Sequence, residues 1–361
     1  MHDLLDQQNS LSLFPTELCE VSKGKYLPLI PRTEGYCVSK SCFNPLRENI
    51  VTCKDPDAQA FLDEVGGLKL DLQLRSNLDG IPAYIPILDL GACKHGGIPD
   101  ETQIVGISLP DLVSNAIIFK AGAYHIQDKI RFRTDILLQP GFRGKKVVLF
   151  LSGPDSLIEN IWYHRKECHF YETIKQMGFW GVSGFNFSVI GGECPFSQAL
   201  NIKRSLFSSF ELDRIGIQAI PHVYAISRSQ IGRWIDWFRQ NPSIKYFAMN
   251  CQLQKKQDDI RLIISAVTGI LSSSPRLHAV LQGFPLPEAR SFGPLLNRIH
   301  FADAQPVKNA QSHKSVQSVN SSFECVFKYD RSKSISQLIT KNIRDRIGLF
   351  EELRRYRFSE R

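Results

Sequence analysis

The sequence predicts a parallel α/β barrel of the (β/α)8, or TIM-barrel, class between about residues 79 and 306. Eight apolar runs follow one another through this region, each short enough for a strand and bounded by turn residues. Continuous apolar runs are typical of parallel strands that are covered on both faces. Amphipathic helical patterns separate most of the runs, and eight such repeats over about 225 residues fit a barrel better than an open doubly wound sheet.

The eight predicted strands each have an apolar interior and a polar or turn-forming end. They are 83–90, 104–109, 146–151, 180–190, 215–226, 244–251, 277–284 and 298–304. The helical patterns between the later strands carry apolar residues at a spacing that packs one face on the sheet, and they cover 156–177, 195–212, 229–240 and 258–271. Residues 91–103 are too rich in Gly and Pro for a good helix, so the barrel is expected to be irregular or open near its first strands.

Residues 1–78 are predicted to form an N-terminal extension with one helix and one strand. Asp55 and Pro56 fit the N-cap and the first position of a helix that ends at Gly66 and Gly67. Leucine at every second position from 68 to 74, alternating with polar residues, then predicts a half-buried strand.

Nine cysteines in a long chain whose first residues do not resemble a signal peptide favour a reducing, cytoplasmic location over a disulfide framework. Cys37, Cys42 and Cys53 could supply three metal ligands, but no second pair of cysteines or histidines accompanies them. Buried or idle thiols are therefore the expectation, and no metal or cofactor is predicted. No run of about 18 apolar residues is present, so no membrane partner is expected.

The charge balance is basic, with 44 Lys and Arg against 36 Asp and Glu. A net charge of +8 favours association with polyanions, which makes a nucleic acid or nucleotide the expected partner. Many proteins of this charge bind no nucleic acid, so charge alone does not decide the point.

Residues 307–361 are predicted to form a linker, one strand and a basic helix. The stretch 305–322 is polar and rich in turn residues, and an alternating strand pattern follows it at Phe323, Cys325, Phe327 and Tyr329. Ser334 and Gln337 have the spacing of a capping box, which starts a helix towards residue 358. The helix is expected to dock Ile339, Ile343 and Ile347 and to leave its arginines in solvent. Those arginines form either a solvated face or a phosphate-contacting surface.

In a barrel of this class the functional site lies where the strands end. The polar residues that the sequence places at that face are Asp89, Ser108, Asp111, Ser152, Asp155, Asn186, Ser188, His222, Tyr224, Asn250, Gln252, Gln282 and Asp303. Among them, Asn186, His222, Asn250 and Gln282 stand in otherwise apolar runs, where an unpaired buried polar group costs about 1–3 kcal/mol. These four side chains either satisfy one another or meet a ligand.

Roles follow from the chemistry of each side chain. His222 is the candidate general acid or base because the ordinary pKa of histidine lies near neutrality, and Asp89 or Asp303 is the carboxylate expected to fix its tautomer. The candidates for binding substrate are Asn186, Ser188, Asn250, Gln282 and Tyr224. Gly191 and Gly192, which precede the helix at 195, are the candidate phosphate cradle.

Strand parity adds a geometric expectation, because successive side chains of a strand face opposite ways. If Asn186 points into the barrel, Gly184 and Ser188 are expected to do so too, and if His222 points inward, Ile220 and Tyr224 are expected to do the same.

One segment carries a family resemblance. The run GFNFSVIGG at 184–192 is followed by Asn201, Arg204 and Ser205 in a helix, and then by GIQAIPH at 216–222. This arrangement resembles an uncharacterised family of phage- and plasmid-borne bacterial proteins that share a GFNFS strand, an N-x-x-R-S element and a G-I-x-x-I-P strand. The family often has Asn where this chain has His222. The resemblance covers about residues 178–282 and implies a mobile-element or host-defence setting, without an established activity.

Two functions remain open from the sequence. The first is a barrel enzyme that acts on a nucleotide, a nucleic acid or another phosphate-bearing substrate. The second is a non-catalytic component of a phage, plasmid or defence system that binds nucleic acid or a protein partner. A deep polar pocket at the strand ends favours the enzyme, and a filled barrel mouth under a continuous basic surface favours the binding protein.

Overall fold

Eight parallel strands form one nearly closed sheet in the computed structural model of the chain. Numbered β1 to β8 in chain order, they are Tyr84–Leu88, Ile104–Ser108, Lys146–Phe150, Gly181–Ser183, Ala219–Ile220, Tyr246–Asn250, His278–Gln282 and Ile299–Asp303. Each pairs in parallel with the next along the chain, and β8 pairs with β1. Between β5 and β6 the contact is a single parallel bridge, from His222 to Ala248. The predicted (β/α)8 barrel class is confirmed.

The structure describes residues 58–114, 117–120, 123–126, 130–189, 195–254, 256–319 and 325–355. The helices in these ranges, α1 to α10, are Ala58–Val65, Leu90–His95, Leu109–Leu112, Asp155–His164, Phe170–Met177, Pro195–Arg214, Arg228–Gln240, Gln257–Ser273, Gln305–Gln311 and Ile335–Arg355. Segments of 3-10 helix cover Ile136–Leu138, Pro140–Phe142 and Leu286–Arg298. None of the described helices combines the length and the apolar character needed to cross a membrane.

Short antiparallel strands occupy the connection between β2 and β3. Val113–Ser114 pairs with Arg131–Phe132, and Ile117–Lys120 pairs with Ala123–Ile126. The connection therefore differs from the single helix that joins most later strands.

The barrel interior is filled by side chains from alternate strand positions. Ile87, Val148, Phe150 and Val280 belong to this inner cluster. Leu78 and Ile81, which precede β1 in sequence, also belong to it. Gly106 leaves room for a large neighbour, since a Cβ at this position would lie 2.8 Å from Phe150 Cε2. The outward side chains of the strands pack in a second, larger cluster with the surrounding helices.

The first strands are regular where the sequence suggests an irregular barrel. β1 and β2 pair directly through Ile87–Gly106 and Leu88–Ile107, and the short helix α2 fits into the Gly-rich connection. The least regular strands are instead β4 and β5, which contain three and two residues.

In its described part, residues 58–78, the N-terminal extension forms the predicted helix but no strand. α1 ends at Gly66 and Gly67, both in the left-handed region, as predicted, while its expected start at Asp55 and Pro56 lies outside the described residues. Residues 68–74 are extended and pair with no strand.

Side chains from the barrel helices bind the backbone of this extended segment. Asn241 Oδ1 accepts a hydrogen bond from Leu74 N–H at 2.9 Å, and Trp237 Nε1 donates to the Leu72 carbonyl at 2.8 Å. These groups take the place of a neighbouring strand, so a period-two pattern forms an extended segment without a β-ladder.

The C-terminal part has more regular structure than predicted. α9 and a first hairpin strand, β9 at Lys314–Val319, occupy the segment expected to be a linker, and the boundary expected at 306/307 falls within α9. β9 pairs in antiparallel fashion with β10 at Cys325–Tyr329, which confirms the predicted strand in its described part.

The last helix, α10, begins with the predicted capping box. Gln337 N–H donates to Ser334 Oγ at 3.2 Å, and Ser334 N–H donates to Gln337 Oε1 at 2.9 Å. The apolar stripe is docked as expected, with Ile339 and Ile343 fully buried.

Two arginines of α10 turn inward, contrary to the expected solvent exposure. Arg346 Nη2 donates to Asp303 Oδ2 at 2.9 Å, and Arg354 Nη2 donates to the Ile299 carbonyl at 2.6 Å. Both arginines therefore attach α10 to β8, and they are not available to a phosphate.

Two histidines and a tyrosine fill the amino end of the barrel. His278 Nδ1 lies 3.0 Å from His300 Nε2, and His300 Nδ1 donates to the Pro82 carbonyl at 2.8 Å. Tyr246 packs on both imidazoles, with ring centroids 5.1 and 5.4 Å away. Burial lowers the pKa of His300 to about 3 and also lowers the pKa of His278, so both rings are neutral at pH 7.

Acid is expected to destabilise the fold through His300. Because its folded pKa lies below the unfolded value of about 6.5, this contribution is complete above that pH and is lost as the pH falls towards 3. Between about pH 7.5 and about pH 5 the loss is about 2 kcal/mol of unfolding free energy. The charged groups that face the pair are Arg298, Arg354, Lys245 and Asp79.

Urea unfolding at the two pH values measures the effect. His300→Gln is expected to reduce the fall in unfolding free energy by about 2 kcal/mol, while the exposed control His95→Gln leaves the fall unchanged. An equal fall in His300→Gln and in the parent would contradict this account.

Candidate functional site

Three of the four polar residues predicted to converge lie side by side at the carboxyl end of the barrel. Asn250 and Gln282 are register partners at the ends of β6 and β7. His222 follows β5 and bridges to Ala248, whose side chain belongs to the inner cluster. All three polar side chains are at least nine-tenths buried. We call His222, Asn250 and Gln282, together with Ser152, the inner polar layer.

A hydrogen bond within this layer spans the barrel. Ser152 Oγ, just beyond β3, donates to Gln282 Oε1 at 2.6 Å. Because β3 and β7 stand opposite each other in the closed strand order, the two side chains meet across the lumen. The Gln282 amide nitrogen, in contrast, has no hydrogen-bond partner among the described residues.

His222 is a neutral donor in this environment. Asn250 N–H donates to its Nε2 at 3.0 Å, which places the imidazole proton on Nδ1. Burial lowers the pKa of His222 to about 3, so the ring stays neutral at pH 7. Within the described residues, Nδ1 has no hydrogen-bond partner. The geometry thus favours hydrogen-bond donation over the proton transfer that the sequence suggests.

The Tyr224 ring lies next to this histidine, as strand parity predicts. Its ring centroid lies 5.9 Å from that of His222, with 29° between the ring planes. Its hydroxyl lies 3.4 Å from the Asn250 carbonyl and accepts a hydrogen bond from the Gln254 amide. Burial raises the pKa of Tyr224, so the phenol stays protonated. Gln254 was not a sequence candidate, because nothing in its polar surroundings distinguishes it from a loop residue.

The end of β4 departs from regular strand parity. Gly184 N–H donates to the Ile220 carbonyl of β5, whereas Asn186 N–H donates to the Leu151 carbonyl next to β3. Gly184 packs on the Ser209 side chain of α6, where a Cβ would collide. The expectation that Gly184 and Asn186 share one face is therefore wrong, because the backbone changes its pairing partner between them.

Ser188 is held by two helices. Its hydroxyl donates to the Asp155 carboxylate, with 2.8 Å to Oδ1 and 3.0 Å to Oδ2. Asn201 of α6 donates from Nδ2 to the Ser188 carbonyl at 2.8 Å. These contacts fix the strand end beside the inner polar layer, and the half-buried Asn186 lies two residues before it.

Asp89, predicted to orient His222, has its hydrogen bonds elsewhere. Its Oδ1 accepts from Ala92 N–H at 2.8 Å, as the N-cap of α2, and from Gln311 Nε2 at 2.6 Å. Asp89 therefore joins α2 to α9.

Asp303, the second predicted carboxylate, faces the helix layer. Apart from Arg346, it accepts Gln305 N–H at 2.9 Å, and the Tyr84 hydroxyl lies 3.4 Å from its Oδ1. Among the described residues, the hydrogen bond to His222 comes from the backbone of Asn250 and from neither aspartate.

A buried ion pair between α6 and α4 packs against the chain that follows β4. Arg204 Nη2 donates to Glu159 Oε2 at 2.8 Å and Nη1 donates to Oε1 at 3.2 Å, with both side chains at most 3% exposed. The guanidinium also lies 4.0 Å from the Phe187 ring centroid. The N-x-x-R-S element thus has a structural role. The sequence signal that could have indicated it is the number of polar residues on the helix α6, which lies between two predicted strands of the barrel.

Several predicted features lie outside the described residues. They are Gly191 and Gly192, the candidate phosphate cradle, and the cysteines at 37, 42 and 53. Within the described ranges, no group of three or more His, Cys, Asp or Glu side chains is arranged to hold a metal ion.

Comparisons with known proteins do not identify the chain. No family model matches the sequence, and no curated protein matches it. The resemblance of residues 178–282 to the phage- and plasmid-borne family stays a prediction.

Proposed function

We propose that the chain is a barrel enzyme whose substrate, a nucleotide or another phosphate-bearing molecule, binds at the carboxyl end of the strands. One observation carries this proposal. Two buried donors in the inner polar layer, His222 Nδ1–H and the Gln282 amide, have no acceptor among the described residues. Each such donor costs about 1–3 kcal/mol when it stays unpaired, and a substrate oxygen would remove that cost.

The chemistry of these donors suits an oxygen acceptor. Both are neutral, and hydrogen bonds in a buried site are stronger than in water. Fixed donors of this kind stabilise negative charge that develops on a carbonyl or phosphoryl oxygen during a reaction. In this proposal His222 polarises the substrate and Gln282, held by Ser152, orients it. The Tyr224 ring lies beside His222.

The choice of a phosphate-bearing substrate rests on the net charge of the chain and on the location of the site. A net charge of +8 raises the local concentration of anionic substrates. Strand-end loops of barrels of this class often bind phosphate. The resemblance of residues 178–282 supports a mobile-element or host-defence setting, and the nine cysteines support a reducing, cytoplasmic location.

A binding and turnover screen tests the proposal. The parent protein would be titrated with the common ribonucleotides, deoxyribonucleotides and ribose 5-phosphate by calorimetry, and each ligand that binds would be followed by phosphorus NMR. We expect at least one nucleotide to bind and to be converted. Binding without conversion would favour a non-catalytic component, and no binding at millimolar concentrations would contradict the proposed substrate class.

A further inference from the structure

The basic charge of the chain is concentrated in its C-terminal part. Residues 307–361 contain twelve Lys and Arg but six Asp and Glu, so they supply +6 of the net charge of +8. Arg346 and Arg354 are used in packing, as described above, and the remaining cations must therefore account for any external contact.

An exposed tyrosine stands among several of these cations on the hairpin. The Tyr329 side chain at the end of β10 is 69% exposed, although most of the aromatic side chains that the structure describes are buried. Lys314 of β9 is its register partner, and the ammonium lies 5.1 Å from the ring centroid. Lys328 and Arg331, one residue before and two residues after the tyrosine, are exposed. Alternation along β10 places the Lys328 side chain on the opposite face of the hairpin from Tyr329. We call these four residues, which cover both faces of the hairpin, the hairpin surface.

The cations of the hairpin surface, Lys314, Lys328 and Arg331, form no ion pair with any other described residue. The acidic residue closest in sequence, Asp330, is instead bound by Lys333 at 2.6 Å. The hairpin surface therefore combines three cations that have no ion pair within the described ranges with one accessible aromatic ring.

A groove on α10 lies next to this surface. The groove has a volume of about 390 Å³, and its cations Lys333, Lys341 and Arg344 are each ion-paired, with Asp330, Asp345 and Glu101 respectively. Lys341 Nζ also donates to the Val316 carbonyl of β9 at 2.6 Å, so the groove adjoins the hairpin.

We propose that the hairpin surface binds single-stranded nucleic acid. Its cations attract the phosphates, and an exposed aromatic ring offers a face on which an unpaired base stacks. A duplex hides the faces of its bases, so the position of Tyr329 favours a single strand. This surface does not depend on catalysis in the barrel, so either proposal can fail without the other.

Fluorescence anisotropy with a labelled oligothymidine of about 20 nucleotides tests this inference. We expect the parent protein to bind it, with a dissociation constant that rises steeply with salt. Tyr329→Ala should weaken binding by about 5- to 100-fold while keeping the salt dependence. The triple variant Lys314→Gln, Lys328→Gln and Arg331→Gln should lower the slope of log K against log salt by about 2.

A matched control removes the same charge from another surface. Lys166, Lys175 and Arg261 are exposed and lie far from the hairpin in sequence, and changing all three to Gln should leave binding within about twofold of the parent. Equal loss in both triple variants would overturn the proposal, because charge would then act without a defined surface. Preference for a duplex of the same length, binding only to phosphatidylserine vesicles, or no binding at about 50 mM salt would also overturn it.

Discussion

Replacing Arg204 with methionine is expected to lower the free energy of unfolding by about 3–5 kcal/mol. Methionine keeps much of the side-chain volume, so the main change is the loss of the guanidinium. Glu159 would then remain as a buried carboxylate without its cation, at 3% exposure. The contact with Phe187 would also be lost, which loosens the strand end that carries Asn186 and Ser188.

Chemical denaturation measures this effect, and two further variants separate its causes. Combining Arg204→Met with Glu159→Leu removes both charges and should recover most of the stability, since an apolar pair can replace a buried ion pair. Arg239→Met breaks an exposed ion pair with Asp236 and should cost at most about 1 kcal/mol. A loss in Arg204→Met no larger than that in Arg239→Met would contradict the role given to the buried pair.

Replacing His222 with glutamine is expected to weaken binding of the substrate nucleotide by about 10- to 100-fold. The glutamine oxygen can take the place of Nε2 and accept Asn250 N–H, but the donor at Nδ1 is lost. Folding should therefore be nearly unchanged while the substrate loses one hydrogen bond. Calorimetry with the nucleotide found in the screen measures the change.

A complementary variant and a matched control complete the experiment. His222→Asn places an amide nitrogen near the position of Nδ1 and leaves Asn250 N–H without its acceptor, so it should lose stability and keep more of the affinity. His300→Gln changes an equally buried histidine at the opposite end of the barrel and should leave the affinity unchanged. Equal affinities of the parent and His222→Gln would exclude Nδ1 from substrate binding.

The sequence was sufficient to predict the barrel because its apolar runs and helical periods indicate directly which residues are buried. The predicted runs 146–151, 244–251 and 277–284 all form neighbouring or facing strands of one sheet. The strand predicted at 68–74 was wrong. Alternation of apolar and polar residues indicates an extended, half-buried backbone, but it does not indicate which groups that backbone hydrogen-bonds to. Here the partners are side chains such as Asn241 and Trp237, which no local pattern reveals.

The candidate site was only partly accessible from the sequence. Position at a strand end brought His222, Asn250 and Gln282 together, because parallel strands end at one edge. The tautomer of His222 depends on a backbone N–H 28 residues away, and the outward direction of Asp303 depends on strand parity and on Arg346 of the last helix. Such long-range contacts decide whether His222 is a hydrogen-bond donor or a base. They also decide whether Asp303 lies in the site or in the packing around it.

The most direct test of the central claim is the protonation of His222 in the folded parent protein. Long-range proton–nitrogen NMR of histidine-labelled protein identifies which ring nitrogen carries the proton, and His222→Gln assigns the signal. We expect the proton on Nδ1, no titration between about pH 8 and about pH 5, and a shift of the Nδ1 signal when the nucleotide binds. A proton on Nε2, or a titration near the ordinary histidine pKa of about 6.5, would contradict the claim that His222 is a neutral donor at the carboxyl end of the barrel.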